Sequence, residues 1–228
     1  MNNLDRITII MPLFNEGEVV QQVLLGLKKY FKNIIVIDDG STDNSNDLLS
    51  LEPVTLLRHP VNLGQGAAIA TGFEYVKAID DAFAVITFDA DGQHAVEDAK
   101  LFAENILSCQ EEIIFGSRFL GNEMNIPFFK RYVLRLATFF TNLLTGMKLS
   151  DTHNGLKAIK KSCLNKLDLD INGYAFETQL ISQISKHEIP YKELPTNIIY
   201  TDYSLNKGQS LRNGFIIIED IIQSFRKR

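Results

Sequence analysis

The chain has little that would serve nucleic acid, zinc or a bilayer crossing. Its 228 residues include only two cysteines, Cys109 and Cys163, four scattered histidines and a net charge of −5. A net-acidic chain is not a general nucleic-acid binder. No Cys-x-x-Cys pair occurs, so a zinc site is not expected. Two lone cysteines without a secretory signal suit a reduced, cytoplasmic protein. No apolar run reaches the ~18 residues of a membrane-spanning helix. Internal repeats, low-complexity tracts and Pro/Gly/Ser-rich linkers are also missing. What is present is a 45% hydrophobic composition over a length that suits one sizeable core, and so one α/β domain.

That core has a recognisable centre in Ala84–His94, AVITFDADGQH. Ala84 to Phe88 reads as a buried parallel strand. Asp89 and Asp91 follow it, and alternate residues of a strand point the same way, so the two carboxylates can converge at the strand's carboxyl end. Open α/β sheets bind ligands at that end. Hard oxygen ligands suit Mg²⁺ or Mn²⁺, and through them a diphosphate. The same residues also suit a plain surface turn.

Other strands end in comparable chemistry. Ile7–Leu13 is followed by Phe14-Asn15-Glu16, and a helical pattern runs from Val19 to Leu27. Ile34–Ile37 runs into Asp38-Asp39-Gly40-Ser41-Thr42-Asp43, where Ser41 or Thr42 can cap the next helix. Asp38 and Asp39 either build that turn or offer a carboxylate to a base or ribose. After Val54–Leu57, Asn62–Gly72 reads as a helix of small residues. Its Gly64-x-Gly66 lacks the third glycine of a dinucleotide loop and suits close packing on the sheet. A helix over Val96–Leu107 leads to Ile113–Phe115 and then Gly116-Ser117-Arg118, where Arg118 is either an ion-pair partner or a phosphate ligand.

The second half begins with Pro127–Gly146, an amphipathic helix. Phe129, Val133, Leu136, Phe140 and Leu144 form one stripe, widened by Phe128, Tyr132, Phe139 and Leu143, with Lys130, Arg131 and Arg135 on the other side. Such a helix rests on a membrane surface or faces a core. The polar turn Asp151–Ala158 enters a short strand, a helix covers Phe176–Lys186, and Ile189–Ile199, interrupted by Pro190 and Pro195, reads as an edge strand. Thr201–Gln209 is polar and expected to be mobile. Ser210–Arg228 is a last amphipathic helix ending in Arg226-Lys227-Arg228.

Taken in order over Ile7–Leu194, several short pieces resemble the family 2 inverting glycosyltransferases of the GT-A fold, above all the dolichyl- or polyprenyl-phosphate mannose and glucose synthases. They are Pro12-x-x-Asn15-Glu16, Asp38-Asp39-Gly40-Ser41-x-Asp43, Asn62-x-Gly64-x-Gly66, Asp89-Ala90-Asp91-Gly92-Gln93-His94, Gly116-Ser117-Arg118, Asp151-x-x-Asn154-Gly155-Leu156-Lys157 and Phe176-Glu177. The resemblance implies a Rossmann-like, mostly parallel central sheet with helices on both faces. It implies a single domain over residues 1–200, with 201–228 as a mobile loop and amphipathic helix of the same domain.

The resemblance also assigns roles. Pro12, Asn15, Glu16, Asp38, Gln65 and Ala90 would line the donor nucleotide pocket, with Asp39 reading the base edge. Asp89, Asp91 and Gln93 would hold a Mg or Mn cation on the diphosphate. Arg118 and Arg131 would lie near donor or acceptor phosphates, and Lys207 would close over the donor. The reaction would be a single displacement from a UDP- or GDP-sugar to a lipid phosphate or glycan acceptor. A polyprenyl phosphate needs no strong base, whereas a sugar hydroxyl does, and Asp151 is then the candidate base. Tyr200–Gly208 departs from the Arg-x-x-Gly-x-Ser-Lys-like segment of lipid-linked synthases, and the transmembrane tail of many relatives is missing. Contact with the inner face of the cell membrane would then come from the amphipathic helices or a membrane partner protein. Two other functions fit the class: a sugar-nucleotide nucleotidyltransferase and a non-catalytic nucleotide-binding protein. The first usually follows its opening strand with a Gly-rich basic loop, but Phe14-Asn15-Glu16-Gly17-Glu18 is acidic. Intact Asp89, Asp91 and Gln93 argue against the second.

Overall fold

The computed structural model describes residues 3–17, 19–50, 52–121, 128–169 and 175–199. Lys207, the 201–209 segment, the 210–228 helix, the Gly173-Tyr174 turn and the side chains of Phe128, Phe129 and Lys130 lie outside the described residues.

Seven strands form one sheet: β1 (Ile7–Leu13), β2 (Asn33–Asp38), β3 (Thr55–Arg58), β4 (Ala84–Thr87), β5 (Ile113–Ser117), β6 (Lys157–Lys160) and β7 (Tyr191–Pro195). Their order is β3-β2-β1-β4-β6-β5-β7. All pairings are parallel except those of β6, which runs opposite to both neighbours, β4 and β5. Every residue of β1 is buried. A strand covered on both faces needs this continuous apolar run rather than an alternating one.

Helices supply that cover. On one face α1 (Val20–Leu27) and α4 (Val96–Ser108) pack Leu24, Leu27, Phe102 and Ile106 against Ile7, Ile9 and Met11. On the other, α3 (Gln65–Lys77) and α7 (Ala175–Lys186) pack Ile69, Phe73, Leu180 and Ile184 against Ile10, Ile35 and Ile37. The small residues of α3 do permit close packing, since a Cβ on Gly72 would lie 2.6 Å from Ile10 Cγ2. Two short helices, α2 (Ser45–Ser50) and α6 (Lys161–Leu164), complete the connections.

Three local expectations are corrected. The cap before α2 is not Ser41 or Thr42 but Asp43, whose Oδ1 accepts from the Ser45 amide at 3.0 Å. The helix expected from Asn62 begins at Gln65, because the Leu63 and Gly64 amides donate to Asp39 instead. Gly64 holds a φ of 95°, open to glycine at little cost. Finally, β4 stops at Thr87, so Asp89 and Asp91 are brought together by the following turn and not by strand pleating.

Helix α5 (Phe128–Thr145) is turned the other way from a core helix. Its buried residues are Leu134, Ala137, Thr138 and Thr141, small and medium side chains at helical spacing. Among its described residues several large apolar side chains face outward: Tyr132 is 62% exposed, Phe139 59% and Leu143 68%. Arg135, expected opposite the stripe, is also exposed and stacks over Phe119 at 5.3 Å. Leu143→Ser should therefore change stability by no more than about 0.5 kcal/mol. Leu134→Ala, on the inward face, should cost about 2–5 kcal/mol. Urea unfolding of the two variants checks the assignment of faces.

Candidate active site

Because β6 is reversed, its amino end lies at the same sheet edge as the carboxyl ends of the other strands. Lys157 pairs with Thr87, the last residue of β4. Thr87 Oγ1 donates to the Gly155 carbonyl at 2.6 Å. The loop before β6 is so pressed against the turn after β4 that a Cβ on Gly155 would overlap the Asp89 carboxylate.

Around Asp89 the structure gathers residues distant in sequence. Gln65 Nε2 donates to Asp89 Oδ1 at 2.8 Å, and His94 Nε2 lies 3.4 Å from Oδ2. Burial favours the protonated form of Asp89. The His94 hydrogen bond and the charges of His94, Lys157 and Arg118 outweigh it and hold the carboxyl below its usual range. Asp91 goes the other way. Burial, and then the neighbouring charge of Asp89 with a contribution from Glu16, raise it to about 6, although the Gln93 amide donates to it at 3.0 Å. Among the described residues no group of three or more His, Cys, Asp or Glu side chains is arranged to hold a metal. A hard cation on Asp89 and Asp91 would complete its shell with oxygens of ligand and solvent. The charge of Asp89, second to burial in raising Asp91, is what such a cation would relieve.

Beside this pair, Arg118 Nε donates to Asp151 Oδ2 at 2.6 Å and Nη2 to the His153 carbonyl at 2.5 Å. The Arg118 and His153 amides occupy the Asp151 carboxylate further, and its side chain is 0% exposed. Asp151 is thus placed as an anchor for Arg118. Lys157, 3% exposed, donates to the Asn154 carbonyl and to Glu177 Oε1 at 2.8 Å. Burial raises Glu177 while the Lys157 charge opposes it. Burial also lowers His153 to about 4, helped by Arg118 and Lys157 and opposed by Asp151, so the imidazole is neutral near pH 7.

The residues expected on the nucleotide side form a second, interlocked group. Asn15, at a positive φ of 55°, donates its amide to Ser41 Oγ and accepts from the Thr42 amide at 2.8 Å. Asp43 Oδ2 accepts from the Gly17 amide. Asp38 is 0% exposed, takes the Ser41 amide and pairs with Arg58. Asp39, expected at the base edge, has both oxygens engaged. His59 Nδ1 lies 2.7 Å from Oδ1, and the Leu63 and Gly64 amides donate at 2.9 and 2.7 Å. Both acids therefore serve the turn in this form. Pro12 is buried in β1 opposite Ile37, Glu16 is buried, and the Ala90 methyl belongs to the core. Gln93 is half-buried after the turn, and Arg131 is half-buried in the first turns of α5.

Sequence reasoning gave no role to His59, His94, Lys157 or Glu177. Lys157 and Glu177 stood in motifs that resembled the family's. Their contact, across 20 positions of chain, needed the reversed β6 and the start of α7 to become visible.

A mostly parallel sheet with one reversed strand, and two carboxylates in the turn beyond its central strand, defines the GT-A class of glycosyltransferases. Comparison with known proteins names the family. Residues 8–168 match Glycosyl transferase family 2, and the chain belongs to it. It is 35% identical over 225 residues to an uncharacterized protein of Methanocaldococcus jannaschii, covering 96% of this chain and 92% of the relative. It is 31% identical to the UDP-N-acetylglucosamine–dolichyl-phosphate N-acetylglucosaminyltransferase of Methanococcus voltae, covering 92% of each. The polyprenol monophosphomannose synthase of Mycolicibacterium smegmatis is 25% identical, with 94% and 86% covered. In fold it is similar to glucosyl-3-phosphoglycerate synthase of Mycobacterium tuberculosis crystallised with phosphoglyceric acid. That match has a TM-score of 0.70 at 15% identity and covers 96% of this chain and 79% of that one.

The raised Asp91 has a measurable consequence. Between its ordinary value of 3.8 and about 6, the folded chain keeps a proton that the unfolded chain has released. Rising pH through this window therefore destabilises the cation-free fold. Asp91→Asn removes that term. In EDTA, the stability of the variant relative to the parent should increase from about pH 4 to about pH 7 and level off there. Urea midpoints of both proteins across that range check it.

Proposed function

We propose that this chain transfers a sugar from a UDP- or GDP-sugar to a polyprenyl phosphate, by single displacement with inversion and dependent on a divalent cation. The observation that carries the reading is the Asp89–Asp91 pair: burial and then the charge of Asp89 raise Asp91, while His94, Lys157 and Arg118 hold Asp89 low. Mg²⁺ or Mn²⁺ held by these carboxylates, with Gln93 beside them, would neutralise charge on the departing nucleoside diphosphate. Lys157 and Arg118 add fixed positive charge at the same edge, and Asp151 and Glu177 hold those two cations in place.

Two further observations favour a lipid phosphate as acceptor. Relatives named as acting on dolichyl phosphate and polyprenol align over nearly the whole chain. Asp151, the acid considered as a base, is buried with its oxygens engaged, which suits an acceptor that is already anionic and needs no deprotonation. No helix of the described residues is long and apolar enough to cross a membrane. The outward face of α5, with Tyr132, Phe139 and Leu143 beside Arg135, offers a peripheral way to reach a lipid.

Incubating the protein with labelled UDP- and GDP-sugars, polyprenyl phosphate and Mn²⁺ tests the reading. Transfer from one donor, abolished by EDTA and lowered about a hundredfold or more in Asp91→Ala, is the expected result. Transfer that survives EDTA at full rate would overturn the cation dependence.

Membrane contact has its own measurement. The protein should co-sediment with anionic liposomes at low salt and release at high salt, each basic residue near the surface contributing ~1 kcal/mol. Replacing Phe139 and Leu143 by serine should abolish sedimentation without lowering thermal stability. A protein that stays in the supernatant at low salt would exclude this face from lipid contact.

A further inference from the structure

The segment that follows β7 is tied to the turn that carries the carboxylate pair. Ile199 donates its amide to the Gln93 carbonyl at 2.8 Å, and Ile198 forms an antiparallel bridge with His94. Gln93 in turn donates its own amide to Asp91 Oδ1. One charged side chain anchors this arrangement from below. Asp98, in the first turn of α4, accepts from the Asn197 amide at 2.7 Å and from Asn197 Nδ2 at 3.3 Å. Asp98 is 6% exposed. An acid that only complemented the helix dipole would stand in solvent, as the exposed Glu97 does in the same turn. Asp98 gives up that hydration and recovers it through the two Asn197 hydrogen bonds, with the charge of His94 adding to them, which is the pattern of a buried acceptor that fixes a neighbour's backbone.

We infer that Asp98 is a positioning residue for the cation-binding turn: through Asn197 it sets residues 197–199 against Gln93 and His94, and so holds the turn from Asp89 to Gln93 in its binding form. The inference rests on the reading of Asp89 and Asp91 as cation ligands. Its physical content is a series of bonds, from Asp98 to the residue 197 amide, from the Ile199 amide to the Gln93 carbonyl and from the Gln93 amide to Asp91, that fixes the turn from outside. Groups that orient metal ligands from outside the first layer typically carry about ten- to a hundredfold in metal affinity.

Binding of Mn²⁺ in the presence of UDP and, separately, of GDP, followed by the electron paramagnetic resonance of free Mn²⁺, tests this without reliance on turnover. Asp98→Ala should weaken Mn²⁺ by about tenfold or more, whereas Glu97→Ala should leave it unchanged. The exchanged pair Asp98→Asn with Asn197→Asp keeps an acceptor for the residue 197 amide and a side-chain donor facing a carboxylate. It should regain most of the affinity. Parental affinity in folded Asp98→Ala, or equal losses in the Asp98 and Glu97 variants, would overturn the inference. Should Asp98→Ala fail to fold, the exchanged pair decides: folded but still about tenfold weak, it overturns the inference. Absence of Mn²⁺ binding by the parent protein would instead overturn the cation-site reading, and this inference with it.

Discussion

Two like charges held together beyond the end of β4 govern the design of this edge of the molecule. Asp89 and Asp91 cannot both ionise cheaply in a half-buried turn. The structure divides the problem between them. Asp89 receives His94, Gln65 and the fields of Lys157 and Arg118 and is kept ionised, while Asp91 is left with burial and its neighbour's charge. The residual charge at Asp91 is what the proposed cation would relieve.

The cations that answer the carboxylates are themselves expensive to bury, and each has an acid of its own. Arg118 is held by Asp151 and Lys157 by Glu177, so neither is free to swing onto Asp89 and collapse the site. A buried pair of this kind contributes little net stability but loses much when one partner is removed. Its value lies in placement. Charges fixed before a ligand arrives need no reorganisation when negative charge develops on a leaving diphosphate. The loops expected on the nucleotide side are likewise pinned by hydrogen bonds between distant residues. Asn15 joins the end of β1 to Ser41 and Thr42, and Asp39 joins the end of β2 to His59, Leu63 and Gly64.

Helix α5 shows a division of a different sort. Its inward face is small and polar enough to hydrogen-bond the loop carrying Asp151, as Thr138 does with Thr152 and Asn142 with Leu149. Its bulk apolar residues are left for the outside. One helix thus supports the Asp151 loop on one side and displays Tyr132, Phe139 and Leu143 on the other.

Much of the frame was legible in the order of residues. The continuous apolar runs of β1, β2 and β4 announced strands covered on both faces, and the acids after them marked the sheet edge where the Asp89–Asp91 turn lies, because burial on two faces and exposure at one end leave direct marks in composition. The reversal of β6 left no such mark, since a four-residue strand reads alike in either direction. From that reversal follow the contact of Gly155 with Asp89, the pairing of Lys157 with Glu177 and the meeting of Asp151 with Arg118. The sequence offered Asp39 and Asp151 as groups facing a ligand, and only the tertiary structure showed that their oxygens are already taken. It likewise proposed an apolar stripe on α5 but not its direction. Periodicity records which side chains share a face, whereas the surroundings decide whether that face meets the core or the solvent.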